Sequence, residues 1–309
     1  MKPANSEFVN RSSWYSPVAF LKATDNTHAS HIERSIKSLT KNGTTHAKEY
    51  HGVRLFLTDL EWDSRFFGVP TVRVEFLEWN QSFVTPDLIA TAISACLRDL
   101  LNRLGRFYLF VEIPSEDIFA IQAFNMAGAR LVETRVSYYR TDIAEFEWPK
   151  RSPVRMAGLD DISDIRRVAS TMRNRFDRFH ADANMPSDKA DEFLATFAEN
   201  SIRGFADFVL VPDSADGNPG AFLTAKLMSL ESEIYQQSIA KMVLSAVDET
   251  RSGWYVRLVA EMSYLFRDKG VRVAFMTTQS TNRAVIRVWE RLGYRYGRCT
   301  HVMSIYQSH

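Results

Sequence analysis

The segment from Val271 to Tyr294 constrains the fold of this chain more than any other. An apolar strand over residues 271–276 is followed by a short polar turn and then by apolar residues at helical spacing. Gly293 ends this helix, at a position where left-handed φ is favoured. Polar side chains at the carboxyl end of a strand, directly before a helix N-terminus, form a natural ligand site. The segment therefore predicts an α/β (α+β) fold with a ligand at this strand end.

The composition excludes several classes of function. The chain has 309 residues, 45% of them hydrophobic and 24% charged, which is typical of a globular protein with two domains. A net charge of +1 gives no electrostatic reason to expect a nucleic-acid partner or an acidic membrane surface. No apolar run approaches the ~20 residues of a membrane span, the N-terminus lacks a signal-peptide pattern, and two cysteines give no disulfide framework. We therefore expect a cytoplasmic protein.

Helix and strand patterns divide the chain into three segments. Residues 1–50 are polar and weakly periodic, although Ile32 to Leu39 could form a short helix. This pattern predicts a poorly defined extension with histidines that lie in solvent and lack metal-ligand spacing. Residues 51–148 alternate strands with helices, and a charged, Pro-bearing stretch over 145–153 marks the best domain boundary. Residues 149–309 hold a second set of strands and helices. We expect mixed central sheets flanked by helices in both larger segments.

The two larger segments end in the same pattern. An offset of 165 residues places Gly128 on Gly293 and pairs residues 113–141 with 278–306 without a gap. Few of the paired residues are identical, so the inference of an internal repeat rests on the shared order of strand, turn, helix, glycine and strand. The first copy lacks a glycine-bearing turn after a central strand. The sequence therefore predicts two tandem halves, of which the second is complete.

A second glycine turn precedes the segment described first. A strand over 242–247 leads through Thr250-Arg251-Ser252-Gly253 into an amphipathic helix over 254–268. Such a turn presents backbone N–H groups to a pyrophosphate, and glycine lets a phosphate approach the chain closely. A plain strand–helix connection has the same pattern, so both interpretations stay open for this turn taken by itself.

Four segments share the order of a known family. They are Leu60-x-Trp62-x-x-x-Phe66-Phe67-Gly68-Val69, Arg175-Phe176 after a helix opened by Asp161-Ile162, the Gly253 turn, and Thr278-Gln279-x-x-Asn282. Over about residues 55–306 the chain resembles the GNAT acyltransferases, with two GNAT-like halves, and more narrowly the TDP-fucosamine acetyltransferase type. GNAT enzymes carry Q/R-x-x-G-x-G/A at the glycine turn, whereas this chain has Thr250 at the first position and Tyr255 at the last.

The resemblance implies transfer of an acyl group from acetyl-CoA, or from a longer acyl-CoA, to the amine of a nucleotide-linked amino-dideoxy sugar of the dTDP type, without a metal. A backbone N–H on the strand over 242–247 would polarise the thioester carbonyl, as in an oxyanion hole. The residues that it implies in acyl-CoA binding are Leu244, Ser245, Ala246, Val247, Arg251, Ser252, Gly253, Trp254, Tyr255, Asn282 and Trp289.

The chain departs from the family at the residue that would protonate the leaving thiolate. In these enzymes a tyrosine seven residues after the asparagine is thought to supply that proton, and Trp289 stands there in this chain. An indole N–H is a very poor acid. Tyr255 or Tyr294 could replace the missing tyrosine, or the thiolate could leave unassisted. Tyr294 follows the helix-ending glycine, which favours a packing role.

The attacking sugar amine must be neutral, so a base or a water relay is needed. The candidate bases are His180, His301 and Glu233. A histidine in a final strand, such as His301, fits a satisfied core position as well.

Four residues are candidates for binding the acceptor substrate. Arg175 and Arg178 could bind a nucleotide diphosphate through paired N–H groups, or they could belong to a solvated loop. Gln279 and Glu233 are the other two candidates.

Two other functions stay open. A GNAT enzyme could act on a peptide, a polyamine or an antibiotic amine, although the arginines over 173–178 disfavour a polyamine cation. A degenerate pair could instead bind CoA or a partner without catalysis. Trp289 and Tyr255 favour that interpretation, and Gly253 with Asn282 disfavours it. A homodimer is compatible with the sequence.

Overall fold

The structure is a computed structural model that describes residues 6–79, 84–172, 174–214 and 217–309. Arg173, the first arginine of the cluster over 173–178, lies outside the described residues. By their contacts the residues form two compact units. Unit 1 comprises the chain up to Arg135 together with residues 181–184 and 298–309, and unit 2 comprises residues 136–180 and 185–297.

Unit 1 is built from helices packed on a mixed sheet. Its elements are α1 (Ser6–Tyr15), α2 (Asp25–Lys41), β1 (Thr45–Tyr50), β2 (Val53–Asp59), α3 (Glu61–Phe67), β3 (Thr71–Trp79), α4 (Pro86–Leu104), β4 (Arg106–Pro114) and α5 (Ile118–Met126). β5 (Arg130–Arg140) follows α5. Most of β11 (Arg295–Ser308), from Arg298 onward, also belongs to unit 1. The strand order is β1-β2-β3-β4-β11, in which β3 and β4 are parallel and the other neighbours antiparallel.

The core of unit 1 lies between this sheet and α4. Thr85 caps α4 by accepting a hydrogen bond from the backbone N–H of Leu88 at 3.3 Å, and Pro86 occupies the first turn, where its missing N–H costs nothing. The apolar face of α4, which includes Ile89 and Ile93, packs on the buried residues of the strands.

Unit 2 has the same plan and carries the glycine turn. Its elements are β6 (Val154–Met156), α6 (Ile162–Thr171), α7 (Arg178–Ala181), α8 (Ser187–Asn200), β7 (Phe208–Pro212), β8 (Ala221–Leu227), α9 (Ser229–Tyr235), β9 (Ile239–Val247), α10 (Trp254–Asp268), β10 (Val273–Gln279) and α11 (Arg283–Arg291). The strand order is β10-β9-β8-β7-β6, with β9 and β10 parallel and the rest antiparallel. The buried face of α10, including Leu258, Met262 and Phe266, packs against this sheet with Trp289 of α11.

The internal repeat is present in the backbone. The offset of 165 residues carries the bounds of α5 onto those of α11, and it carries the last residue of β4, Pro114, onto that of β10, Gln279. Gly128 and Gly293, which follow the two helices, have φ values of 90° and 80°. Each helix is capped by the side chain at the equivalent position, Asp117 in the first copy and Asn282 in the second.

The N-terminal segment differs from the prediction of a poorly defined extension. Residues 6–50 form α1, α2 and β1. His28 and His31 are both buried, at 3% exposure, rather than in solvent, and burial lowers the pKa of His28. The buried sides of these helices carry charged and polar residues, such as Arg11, beside few apolar ones. The apolar residues on these sides are too few to predict the two helices from an apolar period alone.

The predicted fold class, with two repeated halves and mixed sheets flanked by helices, is confirmed. The division into segments 1–50, 51–148 and 149–309 stays a prediction, because the two units are defined by contacts and not by independent folding. Within the described ranges, no helix is long and apolar enough to cross a membrane.

Candidate active site

The two parallel strands of unit 2 separate at their carboxyl ends. β9 and β10 are paired from Val273↔Ile239 to Met276↔Met242, and no later pair follows among the described residues. The last five residues of β9, from Val243 to Val247, therefore have no partner on β10. Backbone groups on this edge are available to a ligand that lies along the strand.

A bulge in β9 lies where the strands separate. Two residues of β9, Val243 and Leu244, face the single residue Thr224 on β8. The fully buried hydroxyl of Thr224 accepts a hydrogen bond from the backbone N–H of Leu244 at 3.0 Å. A bulge bends a strand and increases its twist, so this contact directs the end of β9 away from β10.

The glycine turn connects the open end of β9 to α10. Gly253 has φ 80° and ψ −1°, a left-handed conformation that favours glycine, and a Cβ placed on it would meet no atom within 4 Å. α10 begins at the next residue, so the backbone N–H groups of its first turn have no acceptor within the helix. The turn thus offers open space and N–H donors at the positive end of the helix dipole, which suits an anion.

Asp248 holds this turn in place. Its carboxylate accepts hydrogen bonds from the backbone N–H of Thr250 at 3.0 Å and from the Thr250 hydroxyl at 2.6 Å. Arg167 of α6 donates to the other carboxylate oxygen at 3.1 Å. Burial alone raises the pKa of Asp248, but the hydrogen bonds from Thr250 and the Arg167 guanidinium outweigh it and lower the pKa.

Gly220, which directly precedes β8, packs against the same turn. Its carbonyl accepts a hydrogen bond from the backbone N–H of Asp248 at 2.8 Å, and its own N–H donates to Asp164 at 2.8 Å. A Cβ on Gly220 would lie 2.7 Å from Cγ of Arg251 and 2.9 Å from Oδ2 of Asp248. The sequence did not reveal these supports of the turn, because aspartate and glycine near a strand end are typical of any loop.

The predicted acyl-CoA residues lie around the separated strands and the turn. Leu244, Ser245, Ala246 and Val247 form the open end of β9, while Ser252 and Gly253 are exposed in the turn. Arg251 donates hydrogen bonds to the hydroxyl of Ser214, at 3.2 Å, and to the carbonyl of Asn218. Trp254 opens α10 with the Arg257 guanidinium 5.1 Å from its ring centroid.

Trp289 and Tyr255 form one hydrogen-bonded pair. The indole N–H of Trp289, a residue only 2% exposed, donates to the phenolic oxygen of Tyr255 at 2.7 Å. The Ser245 side chain of β9 also lies close to this oxygen. Burial raises the pKa of Tyr255, and the hydrogen bond from Trp289 and the contact with Ser245 act in the opposite direction without cancelling it. The phenol is therefore protonated at neutral pH and lies beside the open end of β9.

Tyr294, the other candidate acid, is a core residue. It is 2% exposed, and its hydroxyl is hydrogen-bonded to Ser263 of α10 at 2.8 Å. Burial raises the pKa of this phenol. The packing interpretation of Tyr294 agrees with this position.

The polar turn after β10 is an ordered network. Asn282 caps α11, and its side-chain amide donates to the hydroxyl of Thr278 at 3.1 Å. The side-chain oxygen of Gln279 accepts a hydrogen bond at 2.7 Å from Asn174, which lies in the connection after α6. This contact connects the end of β10 to the loop that carries Arg175.

His180 is engaged by two carboxylates. Its Nδ1 lies 2.8 Å from Asp177 and its Nε2 lies 3.0 Å from Asp191, and the side chain is 5% exposed. Both ring nitrogens are occupied, whereas a general base needs a free nitrogen directed at the substrate. This geometry favours a structural role for His180 in holding the loop.

Two further predicted residues belong to other elements of the structure. His301 belongs to unit 1, where its ring nitrogens lie 3.2 Å from the Ser115 hydroxyl and 3.1 Å from the Thr134 hydroxyl. Glu233 is exposed on α9, which precedes the amino end of β9, whereas the glycine turn follows its carboxyl end.

The two candidate arginines differ in exposure. Arg178 is buried at 8% exposure with its guanidinium 4.3 Å from the ring centroid of Phe179, whereas Arg175 and Phe176 are exposed. Arg175 is thus the better placed of the two for a ligand from solvent. Across the described part of the chain, no three His, Cys, Asp or Glu side chains converge on a metal-sized site.

Comparisons with solved structures bear on this arrangement, although neither a family model nor a curated protein matches the sequence. A GCN5-related N-acetyltransferase from Sphaerobacter thermophilus aligns over 96% of this chain and 93% of its own, at 11% identity and a TM-score of 0.59. One from Kribbella flavida aligns over 88% of this chain and 93% of its own, at 12% identity and a TM-score of 0.52. The chain has the GNAT fold.

A third structure of this fold belongs to a much longer protein. It is a GCN5-related glucosamine N-acetyltransferase region of a fungal multi-domain GH3 β-N-acetylglucosaminidase, of which the match covers 31%. That match covers 82% of this chain at 12% identity, with a TM-score of 0.58. At such identities the comparisons establish the fold, and the chemistry must come from the residues of this chain.

Replacing Asp248 by alanine tests the support of the glycine turn. We expect the free energy of local opening of residues 249–256 to fall by about 2 kcal/mol, because hydrogen bonds to a charged group are lost. Hydrogen exchange of these backbone amides measures the change. The control is Glu249→Ala, an exposed neighbour, and equal exchange in the two variants would contradict the assignment.

The same support has a pH dependence of defined sign. The pKa of Asp248 is lowered in the folded protein. Its contribution to the stability of the turn is therefore complete above the ordinary aspartate pKa, and it is lost as the pH falls through the pKa of the folded state. The protection factors of amides 249–256, which correct for the pH dependence of intrinsic exchange, should therefore fall on acidification in the wild type and change less in Asp248→Ala.

Proposed function

We propose that this chain is an N-acyltransferase that moves an acyl group from acyl-CoA to the amine of a small acceptor, with the catalytic site in the 149–309 segment. The observation that carries the proposal is the separation of β9 from β10 above a glycine turn that opens α10. The separated strands accept an extended pantetheine along β9, and the turn accepts the pyrophosphate. The GNAT fold of the chain supports the same reaction class.

The reaction forms one bond and breaks another at the thioester carbon. The neutral acceptor amine attacks the carbonyl carbon, and a backbone N–H of β9 stabilises the developing oxyanion. The C–S bond then breaks, and the amine loses its proton to a base or a water relay. CoA leaves as a thiolate, whose developing charge needs a hydrogen-bond donor or a proton.

Tyr255 takes the place of the absent tyrosine on α11. Its raised pKa keeps the phenol protonated, so the O–H can donate to the sulfur as charge develops. The Trp289 N–H, donated to the same phenolic oxygen, makes that O–H a better donor. A thiol has an ordinary pKa near 8.5, so hydrogen bonding to the thiolate contributes more than complete proton transfer from this phenol.

An amino sugar linked to a nucleotide is the acceptor that we propose. The exposed Arg175 and Phe176 offer a guanidinium for phosphate and a ring for a base, and Asn174 connects their loop to Gln279 at the end of β10. The solved structure of a glucosamine N-acetyltransferase region with this fold is in keeping with an amino sugar. His301 stays a predicted base. We propose no catalytic role for His180 or Glu233.

Thiol release from acetyl-CoA with a panel of TDP- and UDP-amino sugars, polyamines and peptide amines tests this function. We expect release with nucleotide-linked amino sugars above the rate with free sugars or polyamines. Release with polyamines or peptides alone would contradict the acceptor class but keep the reaction class. CoA binding without release for any amine would contradict both, and would favour a non-catalytic CoA-binding pair.

Gly253→Trp should abolish acyl-CoA binding, because the indole would fill the space where the phosphates lie. The dissociation constant, measured by calorimetry, should rise by at least about 100-fold. Gly270→Trp is a matched control, since Gly270 also has a left-handed φ and open space around it but lies at the other end of α10. Unchanged CoA affinity in Gly253→Trp would refute the placement.

Tyr255→Phe should lower kcat by about 100-fold with a smaller effect on KM, as expected for loss of a donor used in the transition state. Trp289→Phe should lower kcat by about 3- to 10-fold, which corresponds to one neutral hydrogen bond. Tyr138→Phe is the control, because that ring also contacts Trp289 while its hydroxyl donates to Glu290. Wild-type kcat in Tyr255→Phe would show that the thiolate leaves unassisted.

A further inference from the structure

The first half of the repeat contains a second pair of separated strands. β3 and β4 are paired from Thr71↔Tyr108 to Val74↔Val111, and no later pair follows within the described ranges. A bulge lies at the same place as in β9, because Glu75 of β3 has no opposite residue on β2. Unit 1 therefore has the backbone of a ligand cleft between the ends of β3 and β4.

Arg11 of α1 lies across this cleft. Its Nη1 donates to the carbonyl of Leu77, on the separated end of β3, at 2.7 Å. Its Nε and Nη2 donate to the carboxylate of Asp117, just after β4, at 3.2 Å and 2.6 Å. One guanidinium thus bridges the two walls of the cleft, as a ligand hydrogen-bonded to the strand would.

Aromatic rings enclose the same guanidinium. Its Cζ lies 3.5 Å from the ring centroid of Trp79 and 5.2 Å from that of Phe76. Tyr15, at the end of α1, donates to Asp117 at 2.8 Å, and Phe8 packs edge-on against Phe76 with centroids 5.4 Å apart. Arg11 is only 4% exposed, so α1 fills the space rather than resting on its rim.

Comparison with the second half shows how the first half differs around this cleft. Asp117 is equivalent to Asn282, the cap of α11 in the second half, where the amide bonds instead to Thr278 of its own strand. The helix after β3 also differs from its counterpart α10, because Pro86 removes a backbone N–H from its first turn and Thr85 caps it. The first half thus has the cleft but not the anion-binding turn.

We infer that α1 is a built-in occupant of the cleft in the first half, which closes that half to acyl-CoA and leaves one acyl-CoA site per chain. The closure of the cleft follows from the contacts of Arg11 alone. The count of acyl-CoA sites rests on the proposed function.

Hydrogen exchange of the full chain tests the closure. Arg11→Met keeps an apolar side chain over Trp79 but leaves Asp117 buried without its cation, so amides of residues 75–79 and 118–121 should exchange at least about tenfold faster. The double variant Arg11→Met/Asp117→Asn removes both charges and should recover a large part of the protection. Asn10→Ala, an exposed neighbour on α1, is the matched control.

If Arg11→Met does not fold, the single variant Asp117→Asn tests the closure in its place. We expect the same segments to exchange faster in that variant. Unchanged exchange of residues 75–79 in a folded variant of either kind would overturn the closure.

A calorimetric titration with CoA tests the count of sites separately. We expect one CoA per wild-type chain and none in Gly253→Trp. Two CoA per wild-type chain, of which one remains in Gly253→Trp, would overturn the inference that the first half is closed. A wild-type chain that binds no CoA would overturn the proposed function, while the exchange experiment still decides whether α1 closes the cleft.

Discussion

The hydrogen bond between the Leu244 backbone N–H and the buried Thr224 hydroxyl supports the rest of the site. It stabilises the bulge in β9, and beyond this bulge β9 is no longer paired with β10. Without the separation there would be no free strand edge beside Tyr255 and no gap above the glycine turn. Thr224, a fully buried residue, thus determines the geometry of a site that its own side chain does not enter.

The two halves share a backbone arrangement but differ in the residues at their separated strands. Each has a bulged strand, a separated parallel neighbour and a capped helix, but in the first half Arg11 bridges the strand ends, whereas in the second a glycine turn follows the bulged strand. Burial of a charge requires a partner and further hydrogen bonds, and Asp117 with the Leu77 carbonyl provides both. In the second half the residue equivalent to Asp117 is Asn282, a neutral cap that leaves no charge to be compensated.

Much of the fold could be predicted from the sequence, because it follows local rules. The start of α10 after Gly253 and the repeat that relates α5 to α11 come from helical period, glycine position and capping residues. α1 and the start of α2 could not be predicted in this way, since their buried sides contain Arg11, His28 and His31. Their stability depends on partners such as Asp117, which is more than a hundred positions away.

The candidate site was predictable in part. The resemblance to GNAT enzymes points to Gly253, Asn282, Tyr255 and Trp289, but the hydrogen bond that joins the two aromatic residues depends on how α10 packs against α11. The sequence alone presented Trp289 as the loss of an acid, whereas the structure shows it as a donor to Tyr255. Asp248 and Thr224 carry no pattern of their own, because their roles exist only in contacts with a neighbouring helix or strand.

The most direct measurement is hydrogen exchange of the wild-type chain with and without acyl-CoA. We expect acyl-CoA to slow exchange in two segments, residues 243–247 of β9 and residues 252–256 at the start of α10, because the ligand lies along the first and against the second. Slower exchange confined to other parts of the chain, or no change at a saturating concentration, would contradict the placement of the active site.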